Sequence, residues 1–166
     1  IFYPKEVLKS NAENGNSISF MASNVLMTNT NYDKLIELVH KYQPDVLLTL
    51  ESDQKWENKL KPLEKEYKYV TKIPQDNLYG MHFYSKLETN NLEVKYLVSD
   101  EIPSIETDII LNSGEQIKVF CLHPKPPSPT EAKTSTNRDA ELLIVGKKIS
   151  KNERSTIVFG DLNDVA

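Results

Sequence analysis

The chain has 166 residues, with 20 lysines and arginines against 24 acidic residues and a formal net charge of −4. This length is that of one ordinary domain, and an apolar fraction of 39% supports a compact core rather than disorder. The acidic balance excludes the pervasive basic surface of a tight duplex binder, which leaves nucleic acid as a substrate but not as a tightly held partner. Cys121 is the only cysteine, so an intramolecular disulfide and a cysteine-only zinc site are excluded.

The first sixteen residues differ from the rest of the chain. Residues 9–16 have no apolar periodicity and are rich in turn formers, so we expect residues 1–16 to be a linker and residues 17–166 to form the domain. No apolar run approaches the roughly 18 residues that crossing a bilayer requires. The chain begins with Ile1 rather than methionine, so we expect it to be cut from a longer protein.

A strand, helix, strand unit is predicted first. Alternating apolar residues from 18 to 22 predict a half-buried strand that runs into the polar Asn24. A helix-start signal and an apolar stripe at helical spacing then predict a helix that Pro44 ends. The unbroken apolar run at 46–50 predicts a strand buried on both faces, and Glu51 follows it directly.

The rest of the domain alternates short apolar runs with turn formers. Residues 54–66 predict a polar helix, and an apolar helical pattern extends through residues 140–149. Two apolar strands on either side of a turn that contains Gly114 predict a hairpin. The strands predicted after residue 66 are 67–71, 81–85, 94–98, 105–111, 117–123 and 156–159.

Polar side chains stand at the carboxyl ends of four apolar runs. They are Asn24, Glu51, His123 and Asp161, and Asn163 follows in the loop after the last run. Strand ends converge on one rim of an α/β sheet, so we expect these side chains to line one pocket. A hard cation such as Mg²⁺ prefers one or two carboxylates with water and phosphate oxygens, which suits Glu51 with a second carboxylate. The pattern therefore indicates phosphoester chemistry.

Each of these residues also has an ordinary structural interpretation, which is favoured when the residue is taken singly. Glu51 alone would be a solvated loop residue, Asp161 with Asn163 a simple turn, and His123 a half-buried structural histidine. Cys121 is expected to be a small core residue without a role, because no basic neighbour in the sequence would lower its pKa. Only the coincidence of four such strand ends favours a site.

Several motifs resemble, in order along the chain, those of the endonuclease/exonuclease/phosphatase superfamily, which includes deoxyribonuclease-like enzymes. Residues 22–25 resemble its first-strand asparagine motif, residues 43–51 the strand that delivers a metal-binding glutamate, and residues 160–164 its Gly-Asp-x-Asn signature. Residues 79–86 and 119–124 are similar to two further strands of the family, the second of which ends in the catalytic histidine.

Two features are most similar to the bacterial YafD-like branch of this superfamily. They are the His-Pro-x-Pro-Pro string at residues 123–127 and the helix around residues 138–142. Members of that branch often carry membrane helices before the catalytic domain. The resemblance implies that residues 1–16 are the remnant after such an anchor in a bacterial, membrane-tethered parent, and we expect the fragment itself to be soluble and monomeric.

The resemblance also implies a fold and a role for each site residue. The implied fold is a sandwich of two mixed β-sheets packed face to face with helices outside, a four-layer α/β/β/α arrangement truncated at its C-terminus. Glu51 would bind Mg²⁺ or Mn²⁺, and Asn24 would support that ligand or contact the phosphate. Asp161 and Asn163 would orient the attacking water or bind a phosphate oxygen. His123 would donate a proton or a hydrogen bond to the phosphoryl or leaving oxygen.

We therefore expect the parent protein to be a divalent-metal-dependent phosphoesterase that acts by water attack, without a covalent enzyme intermediate. Its substrate would be a phosphodiester of nucleic acid or of a lipid head group, or a sugar phosphate. The family's closing segment, with its Ser-Asp-His motif, would follow residue 166, so we expect the active site of this chain to be incomplete and its activity lost. The alternative is a catalytically silent binding module that retains the fold.

Overall fold

The computed structural model describes residues 17–126 and 135–163, and only the backbone of residues 135–137. The linker predicted at residues 1–16 and the last residues of two motifs, Pro127 and Asp164, lie outside the described part. The elements in chain order are β1 (Phe20–Asn24), α1 (Tyr32–Tyr42), β2 (Val46–Leu50), α2 (Gln54–Leu60), a 3₁₀ helix (Lys61–Lys65), β3 (Tyr69–Ile73), β4 (Met81–Ser85), β5 (Thr89–Lys95), β6 (Ser104–Ile110), β7 (Gln116–Leu122), α3 (Ser135–Ile149) and β8 (Thr156–Gly160).

The first sheet has the strand order β1-β2-β4-β3. β1 and β2 run parallel, with α1 between them in the chain, whereas β4 is antiparallel to both of its neighbours. All five residues of β2 are buried, as its unbroken apolar run predicts for a strand covered on both faces. The carboxyl ends of β1 and β2 therefore lie side by side at one edge of the sheet.

The second sheet has the strand order β5-β6-β7-β8. β5, β6 and β7 are antiparallel to one another in turn, and β7 and β8 are parallel. The predicted hairpin is confirmed as β6 and β7, and Gly114 supplies the positive φ of 87° that its turn requires. As in the first sheet, one parallel pair places two strand ends together.

The two sheets pack face to face through buried apolar side chains. Phe20 of β1 and Phe159 of β8 meet edge to face with ring centroids 4.8 Å apart, so these strands are neighbours across the sandwich. Cys121 is buried in this core as predicted, and burial raises the pKa of its thiol. The buried core is formed by Val46, Leu48, Leu50, Met81, Phe83, Ile105, Ile109, Leu111, Ile117, Val119 and Cys121.

Helices cover the outer faces of both sheets. Trp56 and Leu60 of α2 are buried with residues of α1 and of the first sheet, and Val145 of α3 is buried with Phe120 and Leu122 of the second sheet. The predicted sandwich of two mixed sheets flanked by helices is confirmed. Within the described residues, no helix is both long and apolar enough to cross a membrane.

The helix predicted over residues 54–66 is wrong as a single element. It is α2 followed by the 3₁₀ helix, with Pro62 near the start of the second segment. Proline has no N–H for an α-helical hydrogen bond and its ring crowds the preceding turn, so the α-helix ends before it.

The boundaries of two predicted strands are also corrected. The strand expected at 94–98 spans Thr89–Lys95 instead, and the one expected at 67–71 spans Tyr69–Ile73. Asn91 in β5 has a φ of 51° and lies where the pairing with β6 shifts. An asparagine-rich stretch that reads as a turn is therefore a bulged strand.

Candidate active site

Four strand ends meet at the edge shared by the two sheets. Asn24 ends β1, and Glu51 directly follows β2, its parallel neighbour. His123 directly follows β7, and Asp161 directly follows β8, which is likewise parallel to β7. Because the carboxyl ends of parallel strands lie at the same edge, the residues of each pair are adjacent. The approach of β1 to β8 then brings these two pairs of residues together.

The side-chain amide of Asn24 joins the two sheets. Its Nδ2 donates hydrogen bonds to Glu51 Oε1 at 2.6 Å and to Asp161 Oδ2 at 3.2 Å. Its Oδ1 accepts a hydrogen bond from the backbone N–H of Leu26 at 3.2 Å, which fixes the orientation of the amide. Hydrogen bonds to ionised acceptors are the stronger kind, so one amide holds two carboxylates from different sheets at a common point.

The turn that carries Glu51 is tied to the loop before β4. Glu51 has a left-handed φ of 57°. The backbone N–H of Ser52 donates to the carbonyl of Gly80 at 3.2 Å, and that of Gln75 donates to the carbonyl of Ser52 at 3.4 Å. A Cβ on residue 80 would lie only 1.9 Å from the Ser52 oxygen, so glycine is required for this approach. The contact places the preceding Tyr79 beside the site.

His123 is almost completely enclosed, with an exposed fraction of 3%. Its Nε2 lies 4.0 Å from Glu51 Oε1, and the ring of Tyr79 packs on its imidazole with centroids 5.6 Å apart. Burial lowers the pKa of His123, although the carboxylates of Asp161 and Glu51 act in the opposite direction. Its Nδ1 is buried and has no hydrogen-bond partner in the described part of the chain. Nε2 is therefore the nitrogen that faces the carboxylates.

Gly160 allows the close approach of β8 to β7 that positions Asp161. Gly160 has a φ of 142°, and a Cβ there would lie 2.0 Å from the backbone oxygen of Leu122. Any other residue would push β8 away from β7 immediately before Asp161 and His123, the residues that follow these two strands. The spacing of these two side chains therefore depends on Gly160.

Asn163 holds the segments around it. Its backbone N–H donates to Asp161 Oδ1 at 3.0 Å, as in an Asx turn, and its φ is 50°. Its Nδ2 donates to the carbonyl of Pro124 at 2.7 Å, and its own carbonyl accepts from Arg138 Nη1 at 3.1 Å. Asn163 thus fixes Asp161 and the chain just after His123.

The sequence model of the Endonuclease/Exonuclease/phosphatase family matches residues 21–166, which include every predicted site residue. The chain belongs to this family. Comparison with curated proteins gives no match.

Solved structures of family-like fold agree with this assignment. D. rerio TDP2 complexed with a single strand DNA product is 19% identical, with a TM-score of 0.74 over 90% of this chain and 62% of that one. The human Nocturnin catalytic domain with bound sulfate anion is 19% identical, with a TM-score of 0.66 over 89% and 65%. Staphylococcus aureus beta toxin is 17% identical, with a TM-score of 0.67 over 89% and 66%. The chain spans less than two thirds of these structures, and the likeness shows a shared fold.

The donor chemistry of the site fits a divalent metal ion, which enzymes of the endonuclease/exonuclease/phosphatase family generally use. Among the described residues, no three or more His, Cys, Asp and Glu side chains form a metal cluster. Glu51 and Asp161 instead form a carboxylate pair around Asn24. A hard cation of the magnesium type needs only one or two carboxylates, because water and substrate oxygens complete its coordination.

Two residues at this site were not predicted from the sequence to belong to it. Tyr79 lines a cavity of about 80 Å³ together with Glu51, His123 and Asn163. Arg138, on α3, is bonded to the backbone of Asn163. An aromatic residue directly before a glycine at the entry to a strand was the available signal for Tyr79. The contact of Arg138 had no local signal, because it joins positions 25 residues apart.

Proposed function

We propose that the protein hydrolyses a phosphodiester by direct attack of water, with the help of a divalent metal ion. The observation that carries the proposal is the amide of Asn24, which binds the carboxylates of Glu51 and Asp161 at once beside the buried His123. A phosphodiester transition state gathers negative charge on its oxygens, which fixed donors and a cation stabilise. Membership of a family of endonucleases, exonucleases and phosphatases supports a phosphoester substrate.

Glu51 is the proposed metal ligand, for Mg²⁺ or Mn²⁺. When bound, the ion would supply positive charge to the phosphate oxygens. Asn24 holds the Glu51 carboxylate in place through the bond at 2.6 Å. Both oxygens of Asp161 accept hydrogen bonds, from Asn24 and from the backbone of Asn163, so its carboxylate is oriented from two sides. Asp161 is proposed to orient the attacking water and Asn163 to keep Asp161 in position.

His123 is proposed to donate a hydrogen bond or a proton from Nε2 to the phosphoryl or leaving oxygen. This nitrogen lies on the side of Glu51, and the ring of Tyr79 restricts the imidazole. Enclosure of the ring means that few rearrangements are needed when the substrate arrives. No side chain is required to form a covalent bond with phosphorus.

The substrate class proposed is a phosphodiester of nucleic acid or of a lipid head group. The structure of D. rerio TDP2 contains a single strand DNA product, and that of human Nocturnin contains sulfate, so anions occur in two proteins of this fold. The YafD-like branch, the linker at residues 1–16, the membrane tether and the monomeric state remain predictions.

Hydrolysis of bis(p-nitrophenyl) phosphate by the natural full-length protein, with and without Mg²⁺ or Mn²⁺, tests the proposal. We expect metal-dependent turnover that falls about 10²- to 10⁴-fold in His123→Ala, the usual contribution of proton transfer, and that is largely lost in Glu51→Gln. Glu37→Gln, an exposed change on α1, is the matched control and should retain the wild-type rate. Urea unfolding of each variant separates loss of activity from loss of fold.

A catalytically silent binding module is the alternative. It would be favoured if the folded wild-type protein gave no turnover and its melting temperature did not rise with added metal. Metal-induced stabilisation that is absent in Glu51→Gln would instead support the proposed ligand.

A further inference from the structure

A second cavity lies beside Asn24, on the side of α1. It has a volume of about 190 Å³ and extends from the end of β1 to the first turns of α1. Asn24 also lines it, whereas Glu51 and Asp161, the two partners of the Asn24 amide, do not. We call this cavity the α1 pocket, with Asn24, Val25, Asn29, Asn31, Lys34 and Trp56 among its lining residues.

The size of the α1 pocket suits part of a substrate. Pockets that enclose a whole small molecule usually have about 300–1,000 Å³, and this one has about 190 Å³. Asn24 lies between the pocket and the carboxylates of Glu51 and Asp161. A substrate whose reacting group lies at these carboxylates could therefore place a neighbouring group in the pocket. The pocket is therefore suited to a substituent one link away from the scissile phosphate.

The polar lining of the α1 pocket favours an anion. Lys34 is its charged member, and within residues 17–126 and 135–163 it forms no ion pair. Asn31 precedes α1, and its side chain makes no capping hydrogen bond. The amino-terminal end of a helix carries partial positive charge, which adds to that of Lys34. Asp33, the acidic residue of this turn, does not line the pocket.

The loop that forms the pocket is held by its own hydrogen bonds. Asn29 donates from Nδ2 to the carbonyl of Val25 at 3.1 Å and accepts at Oδ1 from the backbone N–H of Asn31 at 3.0 Å. Val25 and Trp56 are buried, with exposed fractions of 4% and 1%, and give the cavity an apolar wall. The pocket thus combines a preformed loop, an apolar wall and an amine.

We propose that the α1 pocket binds a second phosphate of the substrate, and that the substrate is a nucleic-acid strand rather than an isolated phosphodiester head group. The inference rests on the proposed function. A strand carries a further phosphate one sugar away from the scissile one, and the apolar wall can contact that sugar. A choline head group would instead bring a cation to Lys34, which is electrostatically unfavourable.

Salt dependence of binding tests the inference without turnover. Fluorescein-labelled hexathymidylate is titrated with the natural full-length protein at several salt concentrations, in the absence of divalent ions, and the dissociation constant is read from fluorescence anisotropy. The logarithm of the dissociation constant rises linearly with the logarithm of the salt concentration, and loss of one phosphate contact to a single strand lowers that slope by about 0.7. We expect that decrease in Lys34→Ala, and we expect Lys34→Arg to retain the wild-type slope. Lys41→Ala, an exposed change on the same helix, should also retain it.

Three results would overturn the inference: an unchanged slope in Lys34→Ala, an equal decrease in Lys41→Ala, or no binding of the hexathymidylate. Faster hydrolysis of short-chain phosphatidylcholine than of the hexathymidylate by the wild-type protein would overturn it as well. The proposed function is judged separately by bis(p-nitrophenyl) phosphate, which has one phosphate only. Turnover of that compound with an unchanged slope in Lys34→Ala would reject the second phosphate site and retain the phosphodiesterase.

Discussion

The carboxyl group of Glu141 is buried on the inner face of α3. Its exposed fraction is 3%, and Oε1 has no hydrogen-bond partner in the described part of the chain. It precedes Val145 by four residues and so lies on the helix face that packs on the second sheet. Burial raises the pKa of Glu141 from 4.5 to about 7. Ionisation of this group should therefore oppose folding.

The size of the effect follows from the shift in pKa. One pKa unit corresponds to about 1.4 kcal/mol, so a shift from 4.5 to about 7 corresponds to about 3 kcal/mol. Because the folded protein binds this proton more tightly than the unfolded chain, the stabilisation is complete below pH 4.5 and is lost as the pH rises through about 7. Glu141→Gln keeps the shape and removes the charge. We expect it to raise the free energy of unfolding by up to about 3 kcal/mol at pH 8 and to change it little at pH 4.5.

Urea unfolding at pH values from 4.5 to 8 measures this difference. The fluorescence of Trp56, the only tryptophan, reports the transition because its side chain is buried in the fold. Glu37→Gln, on the exposed side of α1, is the control for removal of a carboxylate. Parallel stability curves for Glu141→Gln and the wild-type protein across this pH range would refute the reasoning.

Three further predictions concern buried or constrained residues. His82 is fully buried and burial lowers its pKa to about 4, so the contribution of His82 to stability should fall from pH 6.5 towards 4. The free energy of unfolding of His82→Phe, measured in urea relative to the wild-type protein, should therefore increase as the pH falls over this range, and a constant difference would contradict this. Gly160→Ala should lower the free energy of unfolding in urea by about 1–3 kcal/mol. Gly146→Ala, in open space on α3, should instead raise it by up to about 1 kcal/mol. Similar changes in the two variants would count against the role of φ at Gly160. Tyr79→Ala should lower kcat/KM for bis(p-nitrophenyl) phosphate by up to about a hundredfold through displacement of His123, and Tyr79→Phe should retain it; an equal loss in Tyr79→Phe would assign the effect to the hydroxyl.

The local pattern of apolar residues was sufficient to predict the strands that carry the site. The runs before Glu51 and Asp161 are apolar and short, and the polar residue that ends each run marks the strand end directly. Their convergence could be expected because parallel strands present their carboxyl ends at one edge. The sequence pattern therefore predicted which side chains meet, and family resemblance supplied their proposed roles.

Features that depend on distant contacts were not predictable in this way. Gly80 is required because the backbone of Ser52 approaches it, and neither residue reveals the other in the sequence. β5 was misplaced because Asn91 reads as a turn, although tertiary pairing with β6 stabilises a bulged strand there. The α1 pocket was missed for the same reason, since Lys34 and Trp56 come together only in the folded chain.

The claim that Glu51 and His123 act in one active site is tested most directly by a double variant. The measurement is kcat/KM for bis(p-nitrophenyl) phosphate, with Mg²⁺ or Mn²⁺, of the full-length protein carrying Glu51→Gln and His123→Ala together and singly. Residues that act as a unit in catalysis have strongly non-additive effects. We predict that the double variant loses little more activity than the more damaged single variant. A loss equal to the product of the two single losses, or a folded wild-type protein without turnover, would contradict the proposed site.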